Sequence, residues 1–519
     1  MSTDRTAGIL LHPTSFPGPE GIGDLGPEAY RWIDFLKGSG CQMWQVLPLG
    51  PTGYGDSPYQ CFSAFAGNPL LVSPFLLLED RLLELQDLAD RPVFPVEKVD
   101  FGPVISWKNS LLNRSYEHYK KSKSPTLISE FELFCIANQD WLDDFSLFMA
   151  IKETQTGNPW NLWPYELKFR MPDALITFAD AHQAKIEKHK FNQFLFSRQW
   201  NRLHQYANEQ GVKIIGDIPF VVAFDSADVW ANSNLFQMDD NLNPTMVAGV
   251  PPDYFSRDGQ LWGNPLYKWE IHQASNFNWW LTRLDSVLKL VDIVRLDHFR
   301  GFVAAWHVPF GSTTAVNGAW IKGPGAQLFN VFKQKYPHMP IIAEDLGVIT
   351  PDVKEIRDGF NLPGMKILQF AFTGDPEDDF LPHHYPVNCY AYTGSHDNDT
   401  ARGWYNHASP RERDFCRRYL NVSGDDIAWS MIRSVWQSVA RYAVAPMQDL
   451  LSLDSDARMN LPGSQSGNWY WRMKPNALTD QLKYRMWEMN LLYSRLPTEV
   501  KSQFTEKINA ELGATVKPH

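Results

Sequence analysis

Four acidic side chains end apolar runs in this sequence: Asp217 in IIGDIPF, Asp297 in VDIVRLDHFRG, Glu344 in PIIAEDLG and Asp397 in YTGSHDND. Each alone reads as a helix cap or loop former, because Asp and Asn serve those roles wherever a strand gives way to a helix. Together, in chain order and with His or Arg beside two of them, they read as a carboxylate active site. Carboxylates gathered in a pocket suit glycosidic chemistry, in which one carboxylic acid protonates the leaving oxygen and another carboxylate attacks or stabilises an oxocarbenium-like centre. The two groups must then differ in proton affinity. Asp297 stands two residues after Arg295, so strand alternation puts both on one face, where the guanidinium holds the carboxylate ionised; Asp297 is the expected nucleophile. Glu344 ends the run 340–343, and a partly desolvated carboxyl beside an ionised Asp takes a raised pKa; it is the expected acid and base.

Such residues need strands that end at one rim. Eight apolar runs read as buried strands, at 8–12, 43–49, 213–220, 291–299, 340–346, 365–370, 389–393 and 444–451,. Helical patterns lie between them at 28–38, 194–210, 276–290 and 351–359, the last opened by Thr350 as N-cap and Pro351 at the first position,. The alternation predicts an α/β fold, a (β/α)8 barrel with its active site at the C-terminal strand ends; an open doubly wound sheet would show the same pattern. From 51 to 190 the chain is rich in Leu, Phe, Trp and charge, with helix-like stretches such as 129–150 and few strand signals. The expected organisation is a catalytic barrel over 1–50 and 191–519, with a mainly helical subdomain inserted at 51–190.

With 44% hydrophobic and 21% charged residues among 519, the composition is that of a globular chain,. The 59 acidic against 48 basic residues leave a net charge of -11, which repels phosphate backbones and anionic lipid, so neither nucleic acid nor a membrane surface is an expected partner,. Twenty Trp and 19 Tyr offer flat apolar faces with polar edges that suit sugar rings, although core packing is the default for any one of them,. The five cysteines, Cys41, Cys61, Cys135, Cys389 and Cys416, form no CxxC pair, which points to reduced structural thiols,. The apolar stretch at 9–11 is too short for a signal peptide or a membrane span, so a cytoplasmic enzyme is expected. His298 and His396 lack the spacing of helical zinc ligands, and the glycines of GIGDLG and GPTGYGD do not follow a dinucleotide-binding pattern,. Neither metal nor cofactor is expected.

The sequence resembles the amylomaltases, the bacterial 4-α-glucanotransferases and plant disproportionating enzymes of glycoside hydrolase family 77, on an α-amylase-like barrel. The resemblance is carried by LHPTSFPGPEGIGDLG, WQVLPLGPTGYGDSPYQCFSAFAGNP, GVPPDYFSRDGQLWGNPLYKW, RLDHFRG, AEDLG, TGSHDN and RMNLPGSQSGNWYWR, which span nearly the whole chain. It implies that Asp297 forms a glucosyl-enzyme intermediate, Glu344 is the general acid/base and Asp397 grips the ring hydroxyls in the transition state. It also implies that Arg295 orients the nucleophile, that His396 hydrogen bonds the transferred sugar and that Tyr59 stacks on it. Asp217, His298 and Asn398 join the same pocket. The expected substrates are maltooligosaccharides and starch- or glycogen-derived α-1,4-glucans, with glucose as an acceptor.

Transfer wins over hydrolysis when an acceptor sugar is held in line and water is kept out. The segment 249–269 resembles a family loop that bends over the cleft, where Tyr254 and Phe255 would cover acceptor subsites, followed by Trp262, Gly263 and Asn264. Tyr54 resembles a family position that binds glucan away from the catalytic centre, and Phe101 corresponds to its aromatic companion in relatives. Two positions depart from wider patterns. Val222 stands where the α-amylase clan usually has histidine, as in the amylomaltase branch, and Ser395 replaces a threonine while keeping the hydroxyl. A hydrolase with the same carboxylates, a noncatalytic glucan binder and a nucleotide-dependent sugar transferase are the rival readings. The binder should have lost Asp297 or Glu344, and the nucleotide enzyme should carry a phosphate-cradling loop.

Overall fold

The computed structural model describes residues 5–122, 124–252, 256–464 and 466–502. Twelve strands occur among them: β1 Thr6–Leu10, β2 Met43–Gln45, β3 Lys213–Ile218, β4 Met246–Val250, β5 Gln260–Pro265, β6 Ile293–Leu296, β7 Ala304–Pro309, β8 Ala319–Lys322, β9 Ile341–Ala343, β10 Gly364–Ile367, β11 Cys389–Tyr392 and β12 Tyr442–Pro446. Eight of these pair in parallel in the order β10-β11-β12-β1-β2-β3-β6-β9, one from each run read as a strand in the sequence. The ends of that row meet. The Ala343 N–H donates to the Pro363 carbonyl at 2.9 Å, and the Asp345 side chain accepts from the Met365 N–H at 2.7 Å. The row is a (β/α)8 barrel rather than an open doubly wound sheet.

Alternation along each strand sorts the core into two layers. Leu10, Met43, Ile215, Ile342, Met365, Ile367, Tyr390, Tyr392 and Val444 fill the barrel interior. Their immediate neighbours Ile9, Trp44, Ile214, Ile341 and Ala443 face the helices outside. Small residues let the strands close: a Cβ on Gly8 would stand 2.7 Å from the Met43 Cβ. Many tryptophans serve packing. Trp32, Trp44 and Trp200 are fully buried and touch in series, with centroids 6.5 and 6.1 Å apart. Two of their indole edges still find partners: Trp44 Nε1 donates to the Leu11 carbonyl and Trp200 Nε1 to that of Leu290. Burying one such side chain contributes about 4–6 kcal/mol from the area removed from water.

The guanidinium of Arg495, itself fully buried, donates to the carbonyls of Thr6, Trp436, Ala440 and Arg441, and so ties β1 to β12 from below. Buried polar groups are tolerated on such terms, with each donor matched to an acceptor that would otherwise be orphaned.

Between β2 and β3 the chain forms mainly helices, among them Phe101–Lys121, Pro125–Ala137, Gln139–Thr154, Pro172–Ala181 and Gln183–Glu209. The pattern at 129–150 divides into two helices at Asn138, whose φ of -124° and ψ of 11° leave the helical region. The last helix runs unbroken through position 190 to the turn before β3. Four strands that the sequence reading did not contain form a second sheet, antiparallel, in the order β5-β4-β7-β8. Its strands follow β3 and β6, so it stands at the C-terminal rim of the barrel. Within 249–269, β4 and β5 pair as an antiparallel arm with Val250 opposite Gln260. Tyr254 and Phe255 lie outside the described residues. Among the described residues, no helix is long and apolar enough to cross a membrane.

Candidate active site

The inward parity that places Ile215, Ile293 and Ile342 in the barrel carries on to Asp217, Arg295 and Glu344, two residues further along each strand,. Asp217 and Arg295 are register partners on β3 and β6, so their side chains lie side by side. Below them Tyr392 Oη donates to Gln45 Oε1 at 2.9 Å and plugs the barrel. A packed interior forms the floor and the strand ends form the site.

Arg295 is the hub, 3% exposed. Its Nη1 meets Asp217 Oδ2 at 2.5 Å and its Nη2 meets Asp297 Oδ1 at 2.9 Å. The same Asp217 oxygen accepts from the Tyr59 hydroxyl at 2.8 Å. Burial pushes Asp217 up to about 7 against the pull of Arg295, with the neighbouring Asp297 adding to the rise. The one guanidinium thus serves a buried acid and a partly open one, since the Asp297 side chain remains 26% exposed. The nucleophile reading asked for Arg295 and Asp297 on one face, and they are ion-paired.

Glu344 immediately follows β9 and is 9% exposed. Its Oε2 accepts from the His298 N–H at 2.7 Å and its Oε1 from the Leu346 N–H at 2.9 Å. His298 reaches that position in the left-handed region, φ 49° and ψ 51°, which costs on the order of 1 kcal/mol for a non-glycine residue,. Burial raises the Glu344 carboxyl from its ordinary 4.5 to about 8; Arg295 opposes the rise and the charge of Asp297 adds to it. Arg295 thus pairs directly with Asp297, while burial in a drier niche dominates at Glu344,.

The loop after β11 brings the remaining groups. The His396 ring stacks on Tyr59 with centroids 5.1 Å apart and planes 13° from parallel, and burial lowers its pKa. His396 Nε2 lies 3.3 Å from Asp397 Oδ2. Ser395 Oγ donates to Asn398 Oδ1 at 2.9 Å and accepts from the Asp397 N–H at 3.3 Å, so the serine hydroxyl closes this turn. Asn398 contributes its oxygen to that turn.

On the other side, the Trp262 ring meets His298 edge-on at 4.9 Å, and burial lowers the histidine to about 4. Asn264 is buried and spans Gln60 and the Val222 carbonyl, which its Nδ2 reaches at 2.8 Å. Gly263, with φ 77°, has open space where a Cβ would point. Tyr54 is 65% exposed on the loop after β2. Phe101, by contrast, is buried at the start of its helix and packs against Tyr470 at 5.7 Å, so little of that ring is open to a glucan.

The sequence reading passed over three residues after β12. Arg458 and Asn460 bond to Asp397, and Trp469 packs 5.9 Å from Tyr59 and 6.1 Å from His396. Their only signal was membership of the polar and aromatic stretch RMNLPGSQSGNWYWR. Among the described residues no group of three His, Cys, Asp or Glu is placed to hold a metal ion. A buried acid raised to about 8 beside an ion-paired carboxylate, ringed by aromatic and amide side chains, can protonate a leaving oxygen while its neighbour attacks a sugar carbon.

Comparison with known proteins agrees with this chemistry. Residues 11–479 match the family model described as 4-alpha-glucanotransferase. A 4-alpha-glucanotransferase of Thermus thermophilus is 48% identical over 504 residues, covering 96% of this chain and 100% of that one. A chloroplastic/amyloplastic 4-alpha-glucanotransferase of Arabidopsis thaliana is 42% identical, covering 95% of this chain and 86% of its own. Among solved structures, an amylomaltase from Streptococcus agalactiae in complex with acarbose superposes with a TM-score of 0.92 at 36% identity, covering 95% of this chain and 100% of that one.

Proposed function

From the premise that the chain belongs to the 4-alpha-glucanotransferase family and acts on α-1,4-glucans, we propose which of its residues carry out each step. Asp297 attacks the anomeric carbon of the donor while Glu344 gives its proton to the departing glycosidic oxygen. The bond to the leaving chain breaks and a glucosyl ester on Asp297 forms. Glu344, now a carboxylate, takes the proton from an acceptor hydroxyl, whose oxygen attacks the same carbon and releases Asp297. Two inversions at one carbon give net retention. Asp397 binds the ring hydroxyls, Arg295 supplies the countercharge to Asp297, and Tyr59 with His396 forms the wall of the donor sugar site.

The observation that carries this assignment is the contrast between the two acids: Arg295 sits on Asp297, and Glu344 is pushed up to about 8. A sign follows for pH dependence. The acid must be protonated to donate, so kcat/KM on maltotriose is expected to fall about tenfold per pH unit above about 8. An initial-rate profile that stays flat to well above that point would remove Glu344 from the acid role. The neutral carboxyl's contribution to fold stability is complete below its ordinary 4.5 and is lost as pH rises through about 8,.

Trp262, Gly263 and Asn264 border the acceptor side, Tyr254 and Phe255 contribute to acceptor binding, and Tyr54 is a remote glucan contact. His298 lends its backbone to Glu344 and its ring to Trp262, and Asn398 shapes the turn that presents Asp397. Residues 51–190 serve as an inserted subdomain beside the barrel. Glucose and short maltooligosaccharides are the acceptors, and five cysteines without a disulfide support a cytoplasmic setting. The product ladder from maltotriose tests the acceptor assignment. Glucose together with maltopentaose and longer chains, at constant total linkages, is the expected result; steady loss of linkages would mean that water is the acceptor.

A further inference from the structure

The segment after β12 returns to the barrel rim and grips the loop after β11 at three points. Asn460 Nδ2 donates to Asp397 Oδ1 at 2.6 Å, Arg458 Nη2 donates to the Asp397 carbonyl at 2.6 Å, and the Asn460 N–H donates to the His396 carbonyl at 3.1 Å. The Trp469 N–H is bonded in turn to the Met459 carbonyl at 2.7 Å, which sets that indole beside Tyr59 and His396.

The Asp397 side chain is 42% exposed, so packing alone does not hold it. Left free, a carboxylate there would sample several rotamers in water, and a group that must meet sugar hydroxyls would lose that freedom again in every turnover. Asn460 on Oδ1 and His396 on Oδ2 fix the plane of the carboxylate between them.

We propose that Asn460 is a positioning residue that orients the Asp397 carboxylate toward the hydroxyls of the transferred sugar. The proposal rests on the reading of Asp397 as the carboxylate that binds those hydroxyls. An amide suits the task chemically. Its N–H fixes the carboxylate without cancelling the charge, whereas a lysine or arginine would compete with the sugar for the same oxygens, and an ionised aspartate would repel it.

The test uses the full chain with Asn460→Ala, Asp397→Ala and the double variant. Removing one hydrogen bond to a charged group is expected to lower kcat of Asn460→Ala about 10- to 100-fold, with KM for maltotriose moving about twofold or less. Affinity for acarbose, the ligand of the Streptococcus agalactiae relative, is read by calorimetry. It should weaken about tenfold in Asn460→Ala and further in Asp397→Ala, and the double variant should bind no more weakly than Asp397→Ala, because Asn460 acts only through Asp397. Additive losses, or an unchanged kcat in Asn460→Ala, overturn the proposal. Wild-type behaviour of Asp397→Ala overturns the reading of Asp397 instead.

Should Asn460→Ala fail to fold, Asn460→Asp decides the matter. A protonated carboxyl in that variant can donate to Asp397, but an ionised one repels it, so its activity relative to wild type should be about tenfold higher at about pH 5 than at about pH 8. His396, Tyr59 and Arg458 also surround Asp397 and are present in both proteins, so the ratio to wild type leaves the charge at position 460 and what it imposes on His396. A ratio that does not vary with pH overturns the proposal.

Discussion

Asp297→Asn is expected to lower kcat on maltotriose by at least about ten-thousand-fold while leaving the thermal unfolding curve nearly in place. An amide oxygen can still accept from Arg295 Nη2, and the guanidinium keeps its second partner, the buried Asp217. Packing and hydrogen bonding therefore barely change, and what disappears is the nucleophile. Intact mass spectrometry of the wild type, quenched during turnover, should show a species heavier by a glucosyl chain, and the Asp297→Asn variant should form none. Activity close to wild type in a folded sample, with deamidation excluded by its mass, would mean that another group attacks the sugar.

Glu344→Gln is expected to separate the two halves of the reaction. With ordinary glucans kcat should fall about a hundred- to ten-thousand-fold, because neither protonation of the leaving oxygen nor deprotonation of the acceptor has its group. A glucosyl fluoride needs no proton for departure. With that donor the first half should survive, the ester on Asp297 should accumulate, and azide, which needs no base, should attack it to give a glucosyl azide and free the carboxylate. Loss of the limb near pH 8 should accompany the change, since that limb belongs to the missing carboxyl. A folded Glu344→Gln enzyme that neither accumulates the ester nor responds to azide would assign the proton transfers elsewhere.

The eight barrel strands could be read from the chain because each combines a buried apolar run with an abrupt polar end, as in IIGDIPF and PIIAEDLG. That contrast is itself a product of the barrel, whose interior is dry and whose rim is open. The acids Asp217, Asp297, Glu344 and Asp397 stood out for the same reason; the roles expected of Asp297 and Glu344 came from near neighbours such as Arg295, and that of Asp397 from the family resemblance. The antiparallel sheet had no such contrast. All four residues of β8 are exposed, and β5 carries Gly263, Asn264 and Pro265, which read as a loop. Its pairing comes from strands that follow β3 and β6 and meet only in space.

Two further residues mark the limit of local reading. Asn460 has no pattern that points to Asp397, because the bond depends on where the loop after β12 lands. Phe101 met the chemical requirement for stacking on a sugar, yet its ring is buried at the opening of its helix, and burial is a property of the neighbours rather than of the residue.

Gly8 lies between Met43 on one side and Val444 on the other, and Arg495 fastens the strand that carries it. A chain emerging from the ribosome must hold β1 with one flank unpaired while most of its length is still to be made. Until β12 arrives, the backbone donors and acceptors of that flank are open to any wandering strand. Catalytic competence is thus a late event in the life of each molecule, and the seam between β1 and β12 is where a newborn copy is most exposed to the wrong partner.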